Sequence, residues 1–181
     1  YHLLQGTDIP GIIHPEELIN SEAGLALILE GFVGESLQDF VSERRLEVGE
    51  FLAIAMQLAD ALAALHHHHI VHRDIKPSNI IIQPDTRQVR LTDFSTAVSI
   101  PPGQTYQGNP DLIEGTLAYI APEQTGRVNR PIDHRTDLYS LGVTFYELLV
   151  GELPFPDSDP MALVHSHIAK KPTPVIQVCP H

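Results

Sequence analysis

Asp74 and Lys76 stand two residues apart, Asn79 follows three residues later, and Asp93 comes fourteen positions after Asn79. A positioned carboxylate can orient a hydroxyl and accept its proton. An ammonium group beside it can offset charge on a phosphoryl group in transfer. An amide oxygen and a second carboxylate are hard ligands, the kind Mg2+ takes while bridging phosphates. The set describes transfer of a phosphoryl group from ATP, with Asp74 as base, Lys76 as charge partner, and Asn79 and Asp93 as Mg2+ ligands. Each residue alone reads as a loop cap or a surface charge. Their order and spacing favour the chemistry.

Short apolar runs must position these groups. Residues 70–71 and 80–82 read as brief strands around the loop carrying Asp74, and residues 89–91 as a strand leading into Asp93. Phe51, Ala55, Leu58, Leu62 and Leu65 recur at helical spacing, which predicts a long amphipathic helix over residues 48–65. The four histidines at 66–69 then read as a solvated loop, because consecutive residues rarely converge on one ion. Upstream, Ile12-Ile13 and residues 25–29 read as two strands joined by a polar turn at 20–22. Gly31 and Gly34 mark a flexible connection, and Ser36 is placed to cap a short helix through Phe40. Residues 96–120, rich in Pro, Gly, Thr and Asn, predict a long mobile loop. Residues 137–150 are apolar on nearly every side, as in a buried central helix, with Gly151 and Pro154 to end it. A last helix is expected over residues 159–170, with Lys170 and Lys171 at its negative end. His165 and His167 face different ways on it and receive no metal role.

The chain has 181 residues, 43% of them apolar, and a formal net charge of −12. It is long enough for one globular domain. The acidic balance argues against nucleic acid or an anionic membrane surface as the main partner. The single cysteine excludes an internal disulfide and points to a reducing, cytoplasmic setting. No uninterrupted apolar run approaches membrane-spanning length.

Four segments in one order carry a family resemblance. They are His72-Arg73-Asp74-Ile75-Lys76-Pro77-Ser78-Asn79, Asp93-Phe94-Ser95, Ala121-Pro122-Glu123, and Asp137-Leu138-Tyr139-Ser140-Leu141-Gly142. The chain resembles a eukaryotic-type Ser/Thr protein kinase. The implied fold is α+β and kinase-like, mainly the helical C-lobe with the last strands of the N-lobe and the hinge. Residues 1–30 would be an N-lobe remnant and residues 31–181 an incomplete C-lobe. Lys76-Pro77 matches the Ser/Thr branch. Residues 115–123 match the platform for a substrate peptide, with Thr116 reaching the Asp74–Lys76 pair. Asp137 is expected to hydrogen-bond the backbone around His72 and Arg73. In relatives, an arginine like Arg73 pairs with a phosphorylated activation loop, for which Thr105 and Tyr106 are available acceptors. By the same resemblance, Glu30 and Phe32 meet the adenine edge through their backbone, Leu29 lies behind it and Ile81 forms the floor.

The departures matter equally. The 181 residues contain no glycine-rich loop, no strand with an ATP-anchoring lysine, and not the last helices with the arginine that pairs with Glu123. Glu123 is therefore expected to lack its usual partner. Transfer by this chain alone is expected to be weak, and Ile28 and Ile81 to lie uncovered. Tyr1-His2-Leu3-Leu4 resembles the last turn of the helix before the hinge strands. Ser95 replaces the usual glycine, which is expected to restrict switching of the activation loop. The stretch from Glu114 to Arg130, with Arg135 to Glu147, is most similar to the kinase domain at the front of large bacterial hybrid sensors. A parent chain with sensor or histidine-kinase domains is implied. The alternative reading is a pseudokinase-like module that binds partners without catalysis.

Overall fold

Apolar residues at three- and four-residue intervals give α2 (Val48–His67) one buried face, formed by Phe51, Ile54, Leu58, Ala61, Leu62 and Leu65. The computed structural model, which describes residues 2–22, 24–108 and 114–179, packs this face against the other elements of the core. By length and composition alone α2 could cross a membrane. Its buried stripe is instead committed to the protein interior. The helix runs two residues further than the spacing predicts. His66 and His67 occupy its last turn, where imidazoles suit the negative helix end, and His68 closes it. Of the histidine loop expected at 66–69, the first two residues are thus helix and the last two a turn.

The strands form three small sheets. β1 (Pro15–Ser21) and β2 (Gly24–Leu29) form an antiparallel hairpin. β3 (Glu35–Ser36), β5 (Ile80–Ile82) and β6 (Val89–Leu91) form a second sheet in the order β3-β5-β6. β4 (Ile70–Val71) pairs with β7 (Val98–Ser99). α2 packs on β6 of the second sheet and β4 of the third. The first strand differs from expectation. Ile12 and Ile13 enter the core, 1% and 7% exposed, rather than forming the hairpin. The Ile13 N–H donates to Leu91 at 2.8 Å and the Leu91 N–H to Gly11 at 2.9 Å, so this segment docks on β6. Gly11 is required there: its φ is +81°, and a Cβ would lie 2.6 Å from that of Ala61 in α2. The polar stretch after it becomes β1, because ladder pairing with β2 uses backbone groups and needs no apolar side chains. The apolar side chains of the hairpin, Ile28 among them at 40%, stay exposed. Residues 2–6 form turns rather than a helical turn, and Tyr1 lies outside the described residues.

Ser36 caps α1 (Leu37–Ser42) by accepting from the Asp39 N–H at 3.0 Å. The central helix, α3 (His134–Val150), starts earlier than its apolar pattern, because Asp133 caps it by accepting from the Arg135 N–H at 2.8 Å. Gly151 ends it in the left-handed conformation at φ +83°. Burial all round is not found. Leu138 is 50% exposed, while the inward face carries small polar groups at Thr136, Asp137, Ser140 and Thr144. α4 (Pro160–Ala169) is capped by Asp159. Lys170, just past it, pairs with Asp157 at 3.1 Å. A short α5 (Val175–Val178) follows. In the loop expected over 96–120, β7 and a 3-10 turn at Leu117–Tyr119 are formed, and residues 109–113 lie outside the description.

Candidate active site

Asp137, wholly buried, organises the loop between β4 and β5. Its Oδ2 accepts from the His72 N–H at 2.9 Å and its Oδ1 from the Arg73 N–H at 2.8 Å. Oδ2 also meets His66 Nε2 at 2.8 Å. These bonds hold Arg73 at φ +72°, a conformation non-glycine residues seldom adopt. That turn delivers Asp74 to the site. The His72 ring packs 4.7 Å from Phe94, and its Nε2 meets the Thr92 carbonyl at 3.0 Å. The loop is thereby fixed to the segment that carries Asp93.

Both oxygens of Asp74 are engaged. Oδ2 pairs with Lys76 Nζ at 2.8 Å and accepts from Asn79 Nδ2 at 3.0 Å. Oδ1 accepts from the Thr116 N–H at 2.9 Å. Burial alone would raise this carboxyl, but the Lys76 ammonium and Thr116 outweigh it and hold the group below its usual value. Asp74 is therefore a fixed negative acceptor, suited to orienting a hydroxyl. Lys76 also donates to Thr116 Oγ1 at 2.6 Å, which closes an Asp74–Lys76–Thr116 triangle. Asn79 Nδ2 bonds the Asp74 carbonyl as well, at 2.9 Å. With its NH2 so committed, the amide oxygen is the atom of Asn79 that could serve as a ligand.

The Thr92 N–H donates to the Asn79 carbonyl at 3.0 Å, which sets Asp93 beside the turn carrying Asn79. Asp93 is exposed and sits at φ +60°. Its Oδ1 accepts from the Ser95 N–H at 3.3 Å. The unusual backbone conformation thus falls on Asp93. Ser95 is not among the positive-φ residues. Among the described residues no three His, Cys, Asp or Glu side chains gather around a metal position. An amide oxygen and one carboxylate are nonetheless a fitting protein share for a Mg2+ whose remaining ligands are phosphate and water.

The segment around Gln124 is locked to this loop. Gln124 Nε2 donates to the Arg73 carbonyl at 2.8 Å and to the Glu114 carbonyl at 3.3 Å. Glu123 has a partner after all, since the Thr136 hydroxyl donates to it at 2.6 Å. The Arg73 guanidinium, expected to meet a phosphate, is paired with the Glu114 carboxylate and donates to the Tyr106 hydroxyl at 3.2 Å. Gly115 passes between the two segments at φ +103°, and a Cβ there would stand 2.9 Å from the Arg73 carbonyl. Gly115→Ala is expected to cost about 1–3 kcal/mol of stability and to loosen Thr116 from Asp74. Urea unfolding together with amide exchange at Thr116 measures both, and an unchanged Thr116 would contradict this account.

Just after β2, the Glu30 N–H donates to the His14 carbonyl at 2.9 Å, and the Glu30 carboxylate accepts from the His14 N–H at 3.1 Å. Burial would raise that carboxyl, but the His14 N–H and the Arg90 guanidinium hold it below its usual value. Ile81 is half-buried in β5. Gly34 crosses β5 so closely that a Cβ would meet the Ile82 carbonyl at 2.5 Å. A cavity of about 300 Å³ opens between Leu27, Leu29, Phe94 and Asp93. Glu30, Phe32 and Ile81 do not line it, so it lies on the Asp93 side of Leu29.

Sequence reasoning assigned no role to His66, Arg90 or Gln124, and took Glu114 only as part of a motif. Continuing the α2 register by one residue would have turned His66 inward. The other contacts join residues 41 to 60 positions apart and leave no local sequence signal.

The protein kinase domain family matches residues 1–178 of this chain. Serine/threonine-protein kinase pkn2 of Myxococcus xanthus is 34% identical over 98% of the chain and 22% of its own length. Serine/threonine-protein kinase Pkn1 of the same organism is 38% identical over 85% of the chain and 22% of its own length. Hybrid signal transduction histidine kinase G of Dictyostelium discoideum is 32% identical over 74% of the chain and 6% of its own length. The chain belongs to the protein kinase family, a family of phosphotransferase enzymes. It spans about a fifth or less of the length of these three relatives.

Proposed function

We propose that this site transfers the γ-phosphate of ATP to a serine or threonine hydroxyl of a protein substrate in a signalling pathway. The Asp74–Lys76–Thr116 triangle carries the reading. Asp74 orients the incoming hydroxyl and receives its proton, and Lys76 balances charge on the transferred group. Thr116 fixes both and borders the peptide platform. Asn79 and Asp93 would hold Mg2+, which neutralises phosphate charge when bound. Glu30 and Phe32 would present backbone groups to adenine, with Ile81 below it. Residues 1–30 and 31–181 would be parts of the two kinase lobes. The names of the relatives support the Ser/Thr assignment and fit a larger parent chain with sensor or histidine-kinase domains. The lone cysteine and the need for ATP fit a cytoplasmic setting. Transfer by these 181 residues alone is expected to be slow, because their sequence includes neither a glycine-rich loop over the phosphates nor the anchoring lysine.

The test is labelled ATP with a generic protein acceptor, followed by phosphoamino-acid analysis. Phosphoserine or phosphothreonine that depends on Mg2+ is expected, and phosphotyrosine alone would refute the assignment. Asp93→Asn is expected to raise the Mg2+ concentration needed for half-maximal ADP binding at least about tenfold. Binding without any transfer would leave the scaffold reading in its place.

A further inference from the structure

Three residues expected around adenine, Glu30, Phe32 and Ile81, share one neighbour. Arg90 of β6 pairs through its guanidinium with the Glu30 carboxylate. The same guanidinium lies over the Phe32 ring, 4.7 Å from its centroid. Arg90 is also the register partner of Ile81 across the β5–β6 ladder. Paired residues of an antiparallel ladder project from the same face, so the Arg90 stem and Ile81 stand side by side.

The connection needs such a brace. Between β2 and β3 lie Glu30, Gly31, Phe32, Val33 and Gly34, with Val33 87% exposed. Neither the Phe32 N–H nor the Glu30 C=O takes part in a backbone hydrogen bond among the described residues. These are the groups a purine edge would use. Gly34 is pinned against β5, and ahead of it the Glu30 and Phe32 side chains help fix where those groups stand. Glu30 is held on one side by His14 and on the other by Arg90. Arg90 also holds Phe32, through its ring. It stands three residues before Asp93, so β6 and the two residues after it join the base end and the metal end of the proposed site.

We infer that Arg90 is a positioning residue for nucleotide binding, holding Glu30 and Phe32 so that the segment between β2 and β3 presents its free backbone groups to the base over Ile81. This rests on the nucleotide reading above. The bland alternative is a partly exposed ion pair that tunes stability only, as many do.

Calorimetric titration of the 181-residue chain with adenosine and with Mg-ADP separates the possibilities. Arg90→Met is expected to weaken both ligands by the same factor, roughly fivefold to tenfold, the scale of a lost ion pair plus a lost cation–ring contact. Arg90→Lys keeps the charge and should recover part of the loss. Glu30→Gln added to Arg90→Met should cost little more, since the partner is already gone. Asp93→Asn, two residues past β6, should weaken Mg-ADP and spare adenosine. Unchanged adenosine affinity in Arg90→Met overturns the inference, as does an additive double variant. Wild-type chain that binds neither ligand overturns the nucleotide reading itself and the inference with it. If Arg90→Met fails to fold, Phe32→Leu removes the ring contact instead and must weaken adenosine for the inference to stand.

Discussion

Asp137→Ala is expected to destabilise the fold by about 3–5 kcal/mol, a large part of what a domain of this size has. The carboxylate is wholly buried and receives the His72 and Arg73 N–H groups and His66. Alanine would leave two backbone donors without partners where water does not reach. It would also release Arg73 from φ +72°, so that Asp74 loses its fixed approach. His66→Ala removes only the imidazole contact and is expected to cost about 1–2 kcal/mol. Urea denaturation measures both. Equal losses in the two variants would show that Asp137 acts mainly through His66 rather than through the loop backbone.

The reason Asp137 was readable in advance, and His66 was not, lies in what each signal contains. Asp137 belongs to a motif whose order alone suggests its place. The Asp74–Lys76–Asn79 group was readable for the same reason, because a single eight-residue stretch carries all three. His66 sits in a run of four identical residues, where composition says loop and only the helical register says otherwise. Ile12 and Ile13 look like any strand, and their choice of β6 over the hairpin depends on Gly11 allowing close approach to Ala61. The pairings Arg73–Glu114 and Arg90–Glu30 bring together charges that each have several opposite partners in the sequence. Only the fold selects among them. Helix starts were misjudged where a polar cap, Asp133, precedes the apolar pattern.

Asp74→Asn is expected to lower the rate of phosphoryl transfer by about 10²–10⁴-fold, the usual contribution of a positioned proton acceptor. Asparagine matches the shape, and its oxygen can still accept from the Thr116 N–H. Its NH2, however, would face Lys76 Nζ and Asn79 Nδ2, which are both donors. The triangle therefore loses its charge and one side of its hydrogen bonding, while the hinge and Asp93 are untouched. ADP affinity should stay near that of the wild type, which places the loss in the chemical step. The pH profile makes a second demand. The folded Asp74 carboxyl is held below its usual value, so it remains ionised through and below neutrality. Its contribution to stability is present above the unfolded value of about 3.9 and is lost only as pH falls through the lower folded one. Between about pH 5 and 8, transfer by the wild type should show no titration that belongs to this group. A rate limb in that range that disappears in Asp74→Asn would mean that Asp74 works as a raised-pKa base, and the arrangement of Lys76 and Thr116 around it would need another explanation.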